Sequence, residues 1–232
     1  YKAIDAGVDA VHKVEVPADW ATATDEKKVV ERSGRPATVK MVNELLDPIG
    51  LMDGDSLPVS AFKDIADGQF ETGASAYEKR GTAVMVPEWD PTSCVQCNSC
   101  ATIRPFILDA GEVSAAPSQI KLADSKHAVA EGMKFTMSVS PLDCMGCGEC
   151  VTVCPAAAKG ALKMVPQESQ ADEQPVFNYL VENVGKKEIK PVFTDTTPIG
   201  SQYNQPLLEF SGSCAGCAET SYARLITQLF GE

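Results

Sequence analysis

Residues 144–155 read Cys144-Met-Gly-Cys147-Gly-Glu-Cys150-Val-Thr-Val-Cys154-Pro155, and this stretch decides the fold of the chain. Two residues separate each of the first three cysteines, and a Cys-Pro pair follows three residues later. This spacing is typical of polypeptides that bind 4Fe–4S clusters. The tight loop aims three thiolates at one cluster, while the fourth cysteine points to a different cluster. The run therefore predicts a second cluster, with ligands elsewhere in the chain.

A structural zinc site is the alternative explanation for these cysteines. Zinc requires four ligands in a closed tetrahedral set, usually supplied by two separate Cys-x-x-Cys or Cys/His pairs. Three cysteines in one continuous run do not suit that arrangement. The sequence therefore favours iron–sulfur ligation.

The partner run is Cys94-Val-Gln-Cys97-Asn-Ser-Cys100, but Arg104-Pro105 stands where its Cys-Pro pair is expected. By the two-cluster rule, Cys154 completes the first cluster, and the second cluster lacks a fourth thiolate. Either the second site holds a three-iron or open-iron cluster, or the segment after Ala101 has been shortened. We favour a missing stretch. The expected ligands of the first cluster are Cys94, Cys97, Cys100 and Cys154, and those of the second are Cys144, Cys147 and Cys150.

Cys214-Ala-Gly-Cys217 is a third cysteine unit. Alone it is a weak signal, because Cys-x-x-Cys pairs occur in redox-active sites, in zinc sites and as half of cluster sites. Residues 207–210 form a short apolar run that predicts a strand before it. Tyr222, Leu225, Ile226 and Leu229 recur at helical spacing and predict an amphipathic helix after it. A glycine-containing turn that opens a helix suits anions and diphosphates.

Composition excludes several classes of protein. The nine cysteines among 232 residues are grouped, which argues against a disulfide framework, and thiolate ligands require a reducing compartment. No apolar stretch approaches the length of a membrane span. The net charge of −12 disfavours a nucleic-acid partner. The chain begins without Met or a signal peptide, so we expect it to start inside a longer protein. Lys79-Arg80, Arg104 and Lys186-Lys187 are candidate basic sites for docking acidic electron carriers.

Hydrophobic patterns predict an α+β fold. Val11, Val14 and Val16 indicate a strand, and residues 36–46 indicate a helix whose apolar stripe is Val39, Val42, Leu45 and Leu46. Further strands are expected at residues 82–86 and around Phe135 and Met137. Residues 166–206 contain several prolines and are predicted to be a wrapping linker.

Several motifs together resemble pyruvate:ferredoxin oxidoreductase, over essentially the whole chain and in the same order as in that family. They are Tyr77-Glu78-Lys79-Arg80-Gly81, Pro87-Glu88-Trp89, residues 94–101, Ile103-Arg104-Pro105-Phe106, residues 139–144 and residues 211–217. The resemblance implies a two-cluster ferredoxin-like domain inserted between pieces of larger α/β domains. The implied segments are the end of a gamma-type domain (1–60), an EKR linker (61–87), the two-cluster domain (88–165), a linker (166–205) and the start of a thiamine-diphosphate domain (206–232).

The resemblance also accounts for the irregular first run. In the family, that run continues through Cys-Pro before it reaches Ile-Arg-Pro, so about six residues are expected to be absent after Ala101. Arg104 then resembles the ordinary arginine of Ile-Arg-Pro. By the same resemblance, Cys214 and Cys217 supply half the ligands of a third cluster, whose other two cysteines lie downstream. Glu219 contacts thiamine diphosphate, although Ala218 stands where glycine is usual.

The implied enzyme oxidatively decarboxylates pyruvate with CoA to acetyl-CoA and CO2. It uses thiamine diphosphate with Mg and passes electrons through three 4Fe–4S clusters to ferredoxin or flavodoxin. A homodimer in the cytoplasm, or in a hydrogenosome-like organelle, is expected. This chain would be its electron relay and would be inactive alone. The alternatives are a stand-alone ferredoxin-type carrier, or a related oxidoreductase that uses another 2-oxo acid or NADP.

Overall fold

The structure is a computed structural model that describes residues 1–24, 32–100, 103–184, 194, 196–212 and 214–230. The chain divides into two compact units, Tyr1–Asp67 and Gly68–Glu232. Among the described residues, no helix has the length and apolar character needed to cross a membrane.

The first unit is helical. Its helices are α1 (Lys2–Asp9), α2 (Pro36–Met41) and α3 (Asp47–Gly50), and a π-helical turn at Val42–Leu46 joins the last two. The predicted helix at residues 36–46 is confirmed, with Val42 and Leu45 buried. It begins at Pro36, where a fixed φ and a missing N–H are tolerated. The strand predicted from Val11, Val14 and Val16 is wrong, because these exposed residues pair with no strand.

The second unit contains two small antiparallel sheets. The strands are β1 (Met85–Trp89), β2 (Arg104–Leu108), β3 (Ala123–Asp124), β4 (Lys134–Ser138) and β5 (Leu162–Pro166). β1 pairs with β5, and the other sheet has the order β2-β4-β3. β4 confirms the strand predicted around Phe135 and Met137. β1 begins three residues later than expected.

This pairing brings the two cysteine runs together. The first run connects β1 to β2, and the second run connects β4 to β5. Because β1 pairs with β5 and β2 pairs with β4, both runs lie between the same two sheets. The unit is therefore built on an internal duplication, as expected for two cluster-binding runs.

The helices of the second unit are short, apart from the last. They are α4 (Ala110–Ala115), α5 (Glu149–Thr152), α6 (Glu173–Tyr179), α7 (Pro198–Ser201) and α8 (Ala218–Phe230). A π-helical turn, Leu180–Val184, extends α6. Residues 166–205, predicted as a linker, thus include a helical stretch. Its Val176, Leu180 and Val184 pack with Phe106 and Leu108 in a second hydrophobic cluster.

The main core contains several of the predicted cluster ligands. Cys144 and Cys150 are buried there, and Cys94, Cys100 and Cys154 pack against it. Trp89 and Phe135 meet edge to face, with their ring centroids 6.0 Å apart. The cysteines are therefore held by the same packing that stabilises the unit.

Candidate functional site

Four of the predicted ligands surround one cavity between the two sheets. The cysteines that line it are Cys94, Cys97, Cys100 and Cys154. Its apolar walls are Trp89, Met137, Ala161 and Leu162. The structure thus brings together the four residues assigned to the first cluster.

The two cysteine runs fold in the same way. The backbone N–H of Gln96 donates a hydrogen bond to Cys94 Sγ at 3.4 Å, and that of Gly146 donates to Cys144 Sγ at the same distance. Both donors occupy the left-handed region, with φ of 59° and 66°. Each loop therefore aims an amide at the sulfur of its first cysteine, a contact that stabilises negative charge on sulfur.

A second pair of left-handed residues follows two positions later. Asn98 has φ of 56° and Gly148 has φ of 75°. The second run uses glycine at both left-handed positions, where glycine has no steric penalty. The first run uses Gln96 and Asn98 instead, and these two side chains are buried.

Hydrogen bonds explain the amide side chains of the first run. Gln96 Nε2 donates to the carbonyl of Asp124 at 2.8 Å, and Gln96 Oε1 accepts from the Lys126 backbone at 2.8 Å. Asn98 Nδ2 donates to the carbonyl of Ile199 at 3.3 Å. These bonds tie the first loop to distant parts of the unit and offset the cost of the left-handed backbone.

The buried thiols of Cys100 and Cys144 are difficult to ionise without a metal. Burial, together with the smaller effects of the nearby Cys94, Cys150 and Cys154, raises the pKa of Cys100 to about 12. Burial also raises the pKa of Cys144, against the stabilising Gly146 amide. A positively charged iron–sulfur group offsets this cost, because its thiolate ligands must be deprotonated.

The donor set suits a cluster of several irons. Within the described part of the chain, no three Cys, His, Asp or Glu side chains converge closely enough to hold a single metal ion. Four thiols nevertheless line the cavity. A 4Fe–4S cluster, in which each thiolate binds a different iron, fits this arrangement better than one zinc ion.

The second run presents three cysteines. Cys144 and Cys150 are buried, and Cys147 is exposed. The junction between Ala101 and Thr102, where a shortened segment was predicted, lies outside the described residues. Arg104, which occupies the position of the expected cysteine, belongs to β2.

A buried charge cluster contains Arg104 and was not found from the sequence. Arg104 Nε lies 3.1 Å from Glu209 Oε1, although the two atoms are poorly aligned for a hydrogen bond. Arg224 of α8 belongs to the same cluster. Burial lowers the pKa of Arg224 to about 10, and the negative charge of Glu209 acts in the opposite direction. The guanidinium of Arg104 also lies over the Phe106 ring, 4.8 Å from its centroid. In the sequence, this cluster is indicated by Glu209, a glutamate inside the otherwise apolar run 207–210.

The candidate docking residues differ in their surroundings. Arg104 is 2% exposed, so its prediction as a surface docking residue is wrong. Lys79 is partly buried and paired with Asp143, whereas half of the Arg80 side chain is exposed. Lys186 and Lys187 lie outside the described residues.

The third cysteine unit precedes α8 as expected. Cys214 is exposed and Cys217 is partly buried. A Cβ atom placed on Gly216 would lie 3.2 Å from Cys147 Cβ, so this turn meets the second cysteine run. Glu219 is exposed in the first turn of α8.

Two predictions around this unit need correction. Residues 207–210 form no strand, because the Leu207 N–H donates instead to the Thr227 hydroxyl. α8 is a helix, but it packs through its polar face. Arg224 and Gln228 are buried, while the apolar side chains are exposed: Tyr222, Leu225, Ile226 and Leu229.

Comparison with known families supports the iron–sulfur interpretation. A model described as a 4Fe-4S dicluster domain matches residues 113–158. The EKR family, described as a domain of unknown function, matches residues 24–83.

Whole-chain relatives decide the family. The pyruvate:ferredoxin oxidoreductase of Moorella thermoacetica is 43% identical over 243 residues and aligns with 100% of this chain. The pyruvate-flavodoxin oxidoreductase of Klebsiella pneumoniae is 45% identical over 237 residues, again across 100% of the chain. Along its whole length, the chain matches a segment of the pyruvate:ferredoxin and pyruvate-flavodoxin oxidoreductase family.

Members of this oxidoreductase family are much longer than the chain. The chain spans 20% of the Moorella protein and 19% of the Klebsiella protein. A further relative is the mitochondrial pyruvate dehydrogenase [NADP(+)] of Euglena gracilis, which is 40% identical across 99% of the chain. The chain spans 12% of the length of that protein. The resemblance noted in the motifs is thus confirmed. The assignment of single cysteines to clusters, and of Glu219 to a thiamine cofactor, stays a prediction.

Proposed function

We propose that this chain is the electron-relay part of an oxidoreductase that converts pyruvate and CoA to acetyl-CoA and CO2. Electrons from that reaction pass through 4Fe–4S clusters to ferredoxin or flavodoxin. The names and full-chain similarity of the Moorella and Klebsiella relatives support this proposal. Pyruvate oxidation itself belongs to the whole protein.

The convergence of four cysteines on one cavity carries the proposal. A bound cluster supplies reversible one-electron chemistry. Cys94, Cys97, Cys100 and Cys154 would hold it, and the Gln96 amide would stabilise charge on sulfur. Trp89 and Leu162 would limit its contact with water, which also affects the reduction potential.

The other sites extend the relay. Cys144, Cys147 and Cys150 would bind a second cluster that has three thiolate ligands in this chain. Cys214 and Cys217 would supply half of a third cluster, and Glu219 would contact thiamine diphosphate with Mg. The start of α8 suits this role, since helix N-termini favour diphosphate groups.

The proposed domain arrangement follows the family resemblance. Residues 88–165 would form a two-cluster domain inserted between parts of larger α/β domains, represented here by residues 1–60 and 206–232. Residues 61–87 would be the EKR linker and 166–205 a second connection. The whole enzyme would be a homodimer in the cytoplasm or a hydrogenosome-like organelle, where thiolates stay reduced.

An NADP-linked enzyme is the second candidate. The pyruvate dehydrogenase [NADP(+)] of Euglena is 40% identical to the chain, so the same relay segment occurs in proteins with that name. In such an enzyme the electrons would leave toward NADP, and the cysteine sites would keep their roles.

Anaerobic reconstitution of the chain with ferrous iron and sulfide tests the proposal. We expect a dithionite-reducible 4Fe–4S cluster, visible by EPR, and its oxidation when oxidised ferredoxin or flavodoxin is added. Cys97→Ala should abolish the EPR signal of the first cluster, because it removes one of the four proposed ligands of that cluster. The matched variant Cys214→Ala, which changes an exposed cysteine outside the cavity, should retain it.

Two outcomes would contradict the proposal. The first is binding of zinc and no iron–sulfur cluster, and the second is a full EPR signal from the Cys97→Ala variant. Mixing the chain with pyruvate, CoA, thiamine diphosphate and Mg should leave the clusters oxidised, because the chain is expected to be inactive alone. Their reduction would show that the chain holds the pyruvate site as well.

A further inference from the structure

Residues 78–85, which lie within the proposed EKR linker and are named the EKR segment, lie against the loop that carries Cys144. Lys79 Nζ forms an ion pair with Asp143, the residue directly before Cys144. The side chains of Lys79 and Asp143 are 28% and 14% exposed. This pair is therefore screened less by water than a surface ion pair would be.

Backbone contacts join the same two segments. The Gly81 N–H donates to the carbonyl of Leu142 at 2.8 Å. A Cβ atom on Gly146 would lie 2.9 Å from the Met85 oxygen and 3.2 Å from Ala83 Cβ. Only glycine fits at this close approach, so the EKR segment sets the position of the loop.

Asp143 is also held from its other side. The Ser140 hydroxyl lies 2.6 Å from Asp143 Oδ2 and 2.8 Å from Gln174 Oε1. Ser140 is fully buried. These contacts keep the carboxylate facing Lys79.

Among the residues that the structure describes, none forms an equivalent charge pair directly before the first cysteine run. The residue directly before Cys94 is the uncharged Ser93. That loop is supported by Gln96, Asn98 and Lys126, whose ammonium donates to the carbonyl of Cys94 at 2.7 Å. The two sites therefore differ in the charges placed beside their first cysteine.

We infer that the EKR segment positions the second cysteine loop and that Lys79 and Asp143 set the reduction potential of the cluster bound by that loop. This inference rests on the proposed function. Reduction adds one negative charge to a cluster, so a nearby cation favours reduction and a nearby anion opposes it. Lys79 and Asp143 are positioning residues in this scheme, and neither is a ligand.

EPR-monitored redox titration of the reconstituted chain tests the inference. Lys79→Gln should lower the midpoint potential of the second cluster, and Asp143→Asn should raise it. The double variant should return toward the wild-type value, and Lys79→Arg should preserve it. Arg80→Gln is the matched control, because it removes a neighbouring, half-exposed cation paired with Glu78 and should leave the potential unchanged.

Assignment of the signals uses Cys97→Ala, which removes a ligand of the first cluster only. Shifts of opposite sign support the inference, since mere loosening of the loop would move both single variants in the same direction. Unchanged potentials, shifts of the same sign, or a wild-type second site that takes up no cluster would overturn it. In each of these cases, an intact first cluster would leave the proposed function standing.

Discussion

Single residues decide how closely the two loops approach their surroundings. Gln96 and Gly146 occupy corresponding left-handed positions, but for different reasons. The backbone of Gln96 is strained, and its buried side chain offsets this strain by forming two hydrogen bonds. Gly146 has no room for a Cβ beside Met85 and Ala83. The sequence showed glycine in the second run, but not that contact.

Gly146→Ala should destabilise the chain more than Gly148→Ala. Both positions have positive φ, which costs a residue with a Cβ about 1–2 kcal/mol. Only Gly146 also meets other atoms, because space around Gly148 is open. Steric overlap should add about 1–3 kcal/mol at Gly146. Urea unfolding under anaerobic, reducing conditions measures both changes, and equal losses of stability would argue against the close approach.

Helices and strands were predictable where their apolar periodicity also matches their burial. Residues 36–46 and β4 follow this rule. The helix at Glu173–Tyr179 was missed because the several prolines of residues 166–206 suggested a linker. Pro175 lies in its first turn, where proline is compatible with a helix, and Val176, Leu180 and Val184 supply an i, i+4, i+8 stripe. In α8 the helix was predictable but its buried face was not, since buried Arg224 depends on Glu209 in another part of the chain.

Leu180→Ala tests whether this stretch is a structural part of the unit. Leu180 is fully buried beside Phe106 and Leu108, so its truncation should cost about 2–5 kcal/mol. The same substitution at Leu207, which is 61% exposed, should change stability by less than about 0.5 kcal/mol. Urea unfolding monitored by tryptophan fluorescence compares the two. If this stretch were instead a mobile linker, both substitutions would lower the free energy of unfolding by similarly small amounts.

At the scale of the whole molecule, cysteine spacing predicted the convergence of Cys94, Cys97, Cys100 and Cys154 and the duplication that brings the two runs together. It did not predict the ionic core that joins β2, the segment before Cys214 and α8. Long-range charge pairs leave no periodic pattern in sequence. Arg104, Glu209 and Arg224 meet only because the chain folds back on itself, which is why Arg104 was mistaken for a docking residue.

Glu209→Gln should be strongly destabilising. The substitution leaves two buried guanidinium groups without their counter-ion, and breaking such a buried pair costs about 3–5 kcal/mol. Glu131→Gln is the control, because Glu131 is exposed in the same unit and its change should cost less than about 0.5 kcal/mol. Chemical denaturation of both variants gives the comparison. Equal stabilities would mean that Arg104 and Arg224 are neutralised by other groups.

The position of Cys154 has a consequence for synthesis. Cys94, Cys97 and Cys100 leave the ribosome first, but their cavity is completed only by a cysteine that follows α5. β4 and the first three cysteines of the second loop precede that cysteine in the chain, so they are synthesised before it. A cluster held by these four proposed ligands therefore cannot be closed early during translation. Its insertion has to wait until most of the duplicated unit has emerged, so a pause before α5 would leave three reactive thiols exposed to oxidation.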